Sequence, residues 1–371
     1  MKVLLLSDTY SEHTEKWALG LAEKGIKVGL FSFNKASYEW YDHPNITLYF
    51  EPEQKINAES TLTKLSYFKY VTVLKKIIKH FEPDILHAHY ATSYGIVGAL
   101  TGFHPFILSV WGSDVYDFPR RSKVHRRLFQ YNLKKADLLL STSQIMREEV
   151  LKYTQKPVHV TPFGVDTAVF KPEVVDGKDK GKIYIGTIKP IEDKYGISHI
   201  IQAAKIVIVE RGLKNIQFLL IGPSNEGEKY QAQINEAGLA SYVTLTGRVP
   251  FNEITRYHNL LDIFLNVSID DSESFGVAAV EAMSCEKPVI ISDVGGLMEV
   301  AGNGAFAKVV PRANANAIAE TILDLLANPD EARRLGTSAR NHVLRNYDWR
   351  QNLELMINHY NSLLKKTDKG E

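Results

Sequence analysis

Cysteine is almost absent from this sequence, since Cys285 is the only one among 371 residues. A single cysteine excludes an internal disulfide, and its apolar helical context predicts a buried thiol in a reducing compartment. A charge excess of either sign is also missing, because 44 Lys and Arg residues and 43 Asp and Glu residues give a formal net charge of +1. A near-neutral chain has no overall field that would favour nucleic acid, so we expect no nucleic-acid partner.

Long apolar runs are absent as well. The first stretch, MKVLLLSD, has four apolar residues in a row before Ser7 and Asp8. That pattern predicts a first β-strand rather than a signal peptide. No run approaches the roughly 20 residues that span a bilayer. We therefore expect a cytoplasmic protein that is at most peripheral to the inner face of the membrane.

Short apolar runs are what the sequence does have, and they alternate with helical patterns along the whole chain. They predict strands at 3–7, 27–33, 46–50, 84–89, 106–110, 137–142 and 158–162, and then at 182–187, 216–222, 243–247, 262–267, 288–293 and 306–310. Because helical patterns separate most of these runs, each half should form a parallel sheet with helices on both faces. The predicted fold class is therefore α/β, with two Rossmann-like domains whose parallel sheets face each other across a cleft.

The length of the chain also favours two domains, since a domain averages about 150 residues. The segment 161–182 is rich in proline, glycine and charge, which is typical of a linker. We predict a first domain over 1–165, a second over 166–346 and a final helical segment over 347–371. Neither first strand leads into G-x-G-x-x-G, which disfavours a dinucleotide-dependent oxidoreductase.

Aromatic and polar residues follow two strands of the first half, at the carboxyl ends where ligands of α/β proteins bind. Trp111 and Asp114 follow the fifth strand. We expect Trp111 to shape the surface that meets a ligand, and Asp114 to orient either a ligand or the turn. After the first strand, Thr14 is predicted to cap a helix that begins at Glu15, and His13 to face the ligand.

A pair of carboxylates flanks a predicted helix start in the second half. The residues at this start are Ser274, Phe275, Gly276 and Val277. The free N–H groups and the positive dipole end of a helix bind diphosphates, and Gly276 lets a ligand approach the backbone closely. Glu281, about one and a half turns into the helix, is placed to accept hydrogen bonds from ribose hydroxyls. Glu273, before the helix, is placed to hold a sugar hydroxyl.

The spacing of Glu273 and Glu281 resembles the E-x7-E motif of retaining glycosyltransferases of family 4, and EAMSCEKPVIISDVGGLMEV resembles its usual continuation. PFGVD (162–166) and YDW (347–349) resemble the linker and closing motifs of that family. The resemblance covers most of the chain. It implies the GT-B fold, in which the first domain binds the acceptor, the second binds the nucleotide sugar and the last helix crosses back to the first domain.

The resemblance also assigns cations to the diphosphate of the sugar donor, which needs more positive charge than one helix end supplies. Lys194 resembles the lysine of the family's G-R-x-x-x-x-K-G segment. The arginine position of that segment holds Thr187, so Lys189 is expected to take over the missing charge. The nucleotide base is expected near Arg248 and Val249, where the backbone of Val249 reads its edge.

On the acceptor side, His89 resembles a family histidine at the end of a strand, and His13 stands where many relatives have adjacent glycines. Many relatives carry a histidine beside the reacting sugar at the position of Trp111. An indole ring has one N–H and no basic nitrogen, so Trp111 cannot accept a proton from the acceptor. Its expected contribution is the shape of its ring face and its backbone carbonyl.

The implied reaction moves a sugar from a UDP or GDP sugar to a hydroxyl of a glycan or lipid-linked acceptor, in the synthesis of cell-surface polysaccharide or glycolipid. The acceptor attacks from the side that the diphosphate leaves, so the anomeric configuration is retained, and the departing phosphate oxygen takes the proton. Lys189, Lys194 and the helix end stabilise the leaving diphosphate, while Glu273 and Glu281 orient the sugar donor. The chain contains no Asp-x-Asp, so we expect neither a cofactor nor a metal, with lysines in place of Mg²⁺.

A basic run at 119–138 stands out from the neutral background. Val124, Leu128 and Tyr131 recur at helical spacing and are predicted to form its buried stripe. Its arginines and lysines would then face outward, either as a solvated helix face or as a peripheral contact with an anionic membrane that carries lipid-linked acceptors.

Two other functions stay open. A nucleotide-sugar epimerase of the same fold would need acid–base pairs around the sugar and no acceptor site, and product analysis with the sugar donor alone distinguishes it. A non-catalytic nucleotide-sugar-binding subunit is suggested by the missing family residues, whereas the intact Glu273, Glu281 and Lys194 argue against it.

Overall fold

The computed structural model describes residues 1–34, 41–50, 63–271 and 273–368. Proximity of Cα atoms divides the chain into two compact units. Unit 1 comprises Met1–Pro162 and Arg350–Glu371, and unit 2 comprises Phe163–Trp349. The last residues of the predicted C-terminal segment, 369–371, lie outside the described residues. Among the helices that are described, none combines the length and the apolar character needed to cross a membrane.

Unit 1 is built on a seven-stranded parallel sheet. Its strands are β1 (Lys2–Leu6), β2 (Lys27–Ser32), β3 (Ile46–Phe50), β4 (Ile85–His89), β5 (Phe106–Val110), β6 (Leu138–Ser141) and β7 (Val158–Val160). All strands predicted for the first half are present, in the order β3-β2-β1-β4-β5-β6-β7. The order reverses between β1 and β4, and such a reversal opens a crevice at the carboxyl ends of the two strands.

Helices cover the sheet of unit 1. They are α1 (Glu12–Glu23), α2 (Thr63–Phe81), α3 (Tyr94–Thr101), α4 (Ser113–Tyr116), α5 (Lys123–Lys135) and α6 (Gln144–Leu151), with a short helical turn at Phe118–Arg120. The strands between them are near-continuous apolar runs because both of their faces are buried. Leu4, Leu86 and Leu108 are completely buried and join Phe129 of α5 in one core.

The start of α1 differs from the prediction. Its N-cap is Ser11 and its first residue is Glu12, so a helix beginning at Glu15 with Thr14 as its cap was wrong. Thr14 lies buried in the first turn, and its Oγ1 is 2.6 Å from Oγ of Ser7 at the end of β1. The hydroxyl of Thr14 thus ties the helix to the strand rather than capping the helix.

The buried side of α5 also differs from the prediction. Phe129, Asn132 and Leu133 face the core, whereas Val124 is 66% exposed and Tyr131 is 37% exposed. The stripe predicted through Val124, Leu128 and Tyr131 was therefore wrong. The reason is Asn132, whose Nδ2 donates a hydrogen bond to the backbone oxygen of Ala91 (2.8 Å), so a polar residue occupies the inward face.

Unit 2 has a six-stranded parallel sheet. Its strands are β8 (Ile183–Ile188), β9 (Ile216–Ile221), β10 (Val243–Gly247), β11 (Ile263–Asn266), β12 (Val289–Ser292) and β13 (Lys308–Val310). They lie in the order β10-β9-β8-β11-β12-β13, and each corresponds to a predicted strand of the second half. This order reverses between β8 and β11, which gives unit 2 its own crevice at the carboxyl ends of its strands.

The helices of unit 2 alternate with its strands. They are α7 (Ile197–Lys205), α8 (Gly227–Glu236), α9 (Phe251–Leu260), α10 (Val277–Ser284), α11 (Gly295–Val300), α12 (Ala315–Ala327) and α13 (Pro329–Asn346), with short helical turns at Asp193–Tyr195 and Ile206–Glu210. Ile200, Ile201 and Ile234 of these helices pack with Phe218 and Leu220 of β9 in a single core. Cys285 is a buried free thiol, and burial raises its pKa to about 12.

The motifs PFGVD (162–166) and YDW (347–349) lie near the unit boundaries, and hydrogen bonds join them within unit 2. The N–H of Val165 donates to the oxygen of Tyr347 (2.8 Å), and the N–H of Trp349 donates to the oxygen of Val165 (2.9 Å). The rings of Phe163 and Tyr347 pack edge-on against Phe275. Because these contacts keep both segments in unit 2, the unit boundaries fall after residues 162 and 349, three residues from the predicted positions.

The final helix, α14 (Trp349–Asp368), supplies unit 1 with a buried tyrosine. The hydroxyl of Tyr360 is 2.7 Å from Nδ1 of His87 in β4, and both side chains are fully buried. Glu354 of the same helix forms an ion pair with Lys24 after α1. The two ends of the chain therefore share one core.

Candidate functional site

The crevice of unit 2 contains a buried ion pair. Lys189 follows β8 and Glu273 follows β11, and the strand reversal brings them together. Nζ of Lys189 is 2.5 Å from Oε2 of Glu273, with side chains only 12% and 10% exposed. Ser268 donates a further hydrogen bond to the same carboxylate oxygen (3.3 Å). Two residues that the sequence predicted to be catalytic are thus in direct contact with each other.

Tyr195 links the second predicted lysine to the first. Nζ of Lys189 lies 5.0 Å from the centre of the Tyr195 ring, and Nζ of Lys194 lies 4.9 Å from it. Lys194 also pairs with Glu192 at 3.0 Å. Partial burial opposes the charged form, but the hydrogen bond that Lys194 donates to Glu192 and the nearby Tyr195 raise the pKa of Lys194. Two ammonium groups therefore lie within 5.0 Å of the centre of one aromatic ring.

Two tightly packed glycines, Gly276 and Gly296, keep the start of α10 close to the loop that carries Glu273. Gly276 is the N-cap at φ 78°, and a Cβ there would lie 2.4 Å from Cδ2 of Leu297. A Cβ on Gly296 would lie 2.3 Å from the backbone oxygen of Glu273. Only glycine permits these approaches, which fix the Glu273 loop beside the helix end. The unpaired N–H groups and positive dipole of that end favour an anion.

Glu281 lies on α10 and contacts a buried histidine of α9. Nε2 of His258 is 3.2 Å from Oε2 of Glu281. The histidine side chain has no exposed surface, whereas 12% of the Glu281 side chain is exposed. The Glu281 side chain thus keeps some exposed surface, while its Oε2 is hydrogen-bonded to the buried His258.

Two other residues predicted to bind the sugar donor, Thr187 and Phe275, have buried side chains. Thr187 is part of β8 and only 2% exposed, so its side chain offers no surface to a ligand. The ring of Phe275 is also buried in the core, and only its backbone faces the loop. Any contact of these two residues with the sugar donor therefore has to come from their backbone. Arg248 and Val249 follow the edge strand β10, two strands away from β8.

The carboxyl ends of β1, β4 and β5 in unit 1 gather the predicted aromatic residues. The Trp111 ring lies against His89 at 4.5 Å between ring centres with a tilt of 31°. His13 meets the same indole edge-on at 5.9 Å. Nδ1 of His89 is 3.1 Å from Oγ of Ser7, the hydroxyl that also binds Thr14. Three predicted residues thus form one stack that is anchored to β1.

Both histidines of β4 are fully buried, and both stay uncharged. Burial, followed by the charge of His13, lowers the pKa of His89 to about 3. Burial, followed by the charges of His89 and His359, holds the pKa of His87 well below its ordinary value. Nε2 of His87 is 2.8 Å from Oγ of Ser109, and its other nitrogen binds Tyr360. These imidazoles act as neutral hydrogen-bonding groups rather than as cations.

Asp114 shapes the turn after β5. Its Oδ1 accepts hydrogen bonds from the N–H groups of Trp111 (3.1 Å) and Gly112 (2.8 Å), and its Oδ2 accepts one from Ala91 (2.8 Å). Asp114 is completely buried. Of the two roles expected for Asp114, these hydrogen bonds fit orientation of the turn.

Among the residues that the structure describes, no group of three or more His, Cys, Asp or Glu side chains is placed to hold a metal ion. Lys189 and Lys194 supply positive charge beside Tyr195 in unit 2.

Comparison with known protein families identifies the family to which this chain belongs. Residues 2–143 match the family described as glycosyl transferase 4-like, and residues 172–342 match the family of glycosyl transferases group 1. The chain belongs to the group 1 glycosyltransferases. Its fold is GT-B, which sequence analysis predicted.

Known proteins similar to this glycosyltransferase cover almost its whole length. An uncharacterised glycosyltransferase of Methanocaldococcus jannaschii is 28% identical over 350 residues, which are 92% of each chain. Sucrose-phosphate synthase of Thermosynechococcus elongatus has a similar fold, with a TM-score of 0.85, 20% identity and coverage of 98% of this chain and 99% of that one. HepE of Anabaena, solved with UDP-glucose, gives a TM-score of 0.78 at 18% identity, with coverage of 98% of this chain and 100% of that one.

Sequence reasoning did not single out four residues that contact these groups or lie beside them, which are Ser268, Tyr195 and His258 in unit 2 and Tyr90 in unit 1. Ser268 lies two residues after the end of β11, so the rule that ligands bind at strand ends could have found it, whereas Tyr195 is the sequence neighbour of the predicted Lys194. Tyr90 follows β4 at φ 79°, a left-handed conformation that is rare for a tyrosine, and its hydroxyl binds Ser113. Strain of that kind at a strand end is typical of functional sites and has no sequence signal.

The buried histidines predict that this glycosyltransferase loses stability in acid. An unfolded imidazole takes up a proton near pH 6.5, whereas folded His89 stays neutral down to about pH 3. Because the unfolded state then binds more protons, the free energy of unfolding should fall as the pH drops below 6.5, by up to about 1.4 kcal/mol per pH unit for each such histidine. Urea unfolding at a series of pH values measures this slope.

The variant His89→Gln should have a shallower slope than the parent protein. His80→Gln is the matched control, because the exposed side chain of His80 has similar surroundings in both states. An equal slope in the parent protein and in the His89 variant would contradict the prediction.

Proposed function

We propose that this glycosyltransferase moves a sugar from a nucleoside-diphosphate sugar to an acceptor hydroxyl with retention of the anomeric configuration. The observation that carries the proposal is the meeting of Lys189, Glu273 and the start of α10 at one strand reversal. These groups match the parts of one ligand, since cations and a helix end suit a diphosphate and a carboxylate suits sugar hydroxyls. UDP and GDP sugars are both candidates, and UDP-glucose bound to HepE of Anabaena supports a uridine donor.

The proposed chemistry is mainly electrostatic. The bond between the anomeric carbon and the diphosphate oxygen breaks, a bond to the acceptor oxygen forms on the same face, and the acceptor proton passes to the departing phosphate. Lys189 and Lys194 stabilise the charge that grows on the diphosphate, so no metal or cofactor is required. Glu273 keeps Lys189 in place and binds the sugar hydroxyls. An epimerase or a non-catalytic subunit has no specific observation in its favour.

Unit 1 is proposed to bind the acceptor beside the stack of Trp111, His89 and His13. An indole provides an apolar ring face and no proton acceptor, which suits a mechanism in which the leaving phosphate takes the proton. Because His89 is neutral and tied to Ser7, it sets the tilt of the indole ring. The ring face of Trp111 then limits which sugars fit.

The acceptor is proposed to be a glycan or a lipid-linked molecule, reached at the inner face of the membrane. Exposed arginines and lysines cover α5 and the turn before it, and they include Arg121, Lys123, Arg126, Arg127, Lys134 and Lys135. The exposed Val124 and Tyr131 lie among them. A helix face that combines cations with apolar and aromatic side chains suits anionic lipid headgroups. A chain with a single free cysteine is compatible with the reducing cytoplasm.

Nucleotide binding is the first test of the proposed function. One of UDP, GDP and ADP should raise the melting temperature, since a ligand at about a hundred times its Kd stabilises a protein by about 2.7 kcal/mol. Glu281→Ala should abolish most of this gain. Glu236→Ala, an exposed carboxylate at the end of α8, is the matched control and should respond like the parent protein. The proposal fails if no nucleotide or nucleotide sugar stabilises the parent, or if the Glu281 variant responds as strongly.

The Trp111 ring face should control the rate and the choice of sugar. Trp111→His replaces an apolar ring by a smaller basic one, and we expect kcat/KM to fall by about tenfold or more, with different losses for different sugar donors. Trp111→Phe keeps an apolar ring and should lose less. Steady-state kinetics with a set of nucleotide sugars measures both effects, and unchanged rate and preference in the histidine variant would refute the role.

Membrane contact through α5 should depend on charge. The parent protein should sediment with vesicles that contain phosphatidylglycerol and not with pure phosphatidylcholine. Arg127→Glu with Lys134→Glu should weaken this binding by tenfold or more, because each basic residue near an anionic surface contributes about 1 kcal/mol. Lys180→Glu with Lys182→Glu makes the same change of charge on exposed positions of unit 2 and serves as control. Equal binding by both double variants would rule out this surface.

A further inference from the structure

The environment of His258 is unusual for a polar ring. Its side chain has no exposed surface, and it packs among aromatic groups in the last turn of α9. The ring centre of Phe264 lies 5.2 Å away at a tilt of 39°, and that of Phe170 lies 5.8 Å away edge-on. Such packing leaves the imidazole a single orientation. The sequence neighbours of His258 give no reason for a histidine in this apolar site.

Of the two ring nitrogens of His258, one has a hydrogen-bond partner among the described residues. Nε2 faces Oε2 of Glu281 at 3.2 Å. Nδ1 is buried and has no partner among the described residues. A neutral imidazole donates through only one nitrogen, and a lone pair on Nε2 would face a carboxylate unfavourably. The proton therefore belongs on Nε2, and the ring donates to Glu281.

We propose that His258 is a positioning residue that orients Glu281 toward the ribose of the nucleotide, an inference that rests on the proposed function. Oε2 of Glu281 is held by the imidazole, so Oε1 is left to accept hydrogen bonds from the ribose hydroxyls. Without His258 the carboxylate has several rotamers, and binding the ribose would cost the entropy of selecting one. His258 itself does not touch the ligand.

Ribose hydroxyls give this role a specific readout. A histidine that only supports the packing of α9 against α10 would, when replaced, weaken every nucleotide alike. A histidine that orients Glu281 would matter only when hydroxyls are present for Glu281 to bind. The comparison between a nucleotide and its 2′,3′-dideoxy analogue separates the two roles.

The experiment uses a matched pair of variants in the full-length protein. His258→Gln keeps an N–H near the position of Nε2, and His258→Met has a similar shape without it. Isothermal titration with UDP and GDP should show that the Met variant binds about tenfold more weakly than the parent, as expected when a hydrogen bond to a charged group is lost. The Gln variant should bind within about threefold of the parent. For the dideoxy nucleotides, all three proteins should have equal affinities.

The outcomes separate this inference from the proposed function. If the parent protein binds neither UDP nor GDP, the proposed function fails. If the parent protein binds a nucleotide, but His258→Met weakens the binding of the dideoxy nucleotide as much as that of the normal nucleotide, only the role of His258 is overturned.

Nitrogen-15 NMR of the parent protein gives a test that needs no variant. The proton of His258 should reside on Nε2, and its resonance should shift more on addition of the nucleotide than of the dideoxy analogue. A proton found on Nδ1, or equal shifts with both ligands, would overturn the inference even if both variants failed to fold.

Discussion

The parallel pairing of β8 with β11 is the constraint on which the site of unit 2 depends. These strands are far apart in sequence, and their pairing brings the residues after each strand to one edge of the sheet. Lys189 and Glu273 meet there, and each compensates the other for loss of water. A lone charge in that position would be costly, whereas a paired one can be kept nearly buried until an anionic ligand competes for the lysine. Gly276 and Gly296 allow the backbone to close around this pair.

Regular structure could be predicted from the sequence because apolar runs report burial directly. Every strand expected from its apolar pattern is present, and so is the helix that begins after Gly276. The inward face of α5 could not be predicted in the same way. Asn132 is polar, and only its hydrogen bond to Ala91, 41 residues earlier, makes burial favourable. A search for apolar residues at helical spacing treats Asn132 as exposed, and it therefore places the buried stripe of α5 at Val124 and Tyr131.

The roles of single residues were harder to predict than the crevices that contain them. Rules about strand ends and helix starts pointed to Glu273, Glu281 and Trp111, since those rules depend on chain direction alone, and the family resemblance pointed to Lys189. Thr14 was misassigned, and the two roles of Asp114 stayed open, because their partners come from other strands and turns. Their polar groups serve the packing of the site rather than its ligands. The sequence contains the residue types, but the pairing of hydroxyls and carboxylates is decided by tertiary structure.

The hydrogen bond between His87 and Tyr360 has a consequence for the order in which the protein forms during translation. His87 is synthesised 273 residues before its buried partner Tyr360. During translation the core of unit 1 therefore lacks the Tyr360 side chain until that residue has been synthesised. The segment from Phe163 to Trp349 can fold in the meantime. A chain that stops before Tyr360 would leave the imidazole of His87 without its hydroxyl partner inside an open core, and chaperones and proteases act on such fragments.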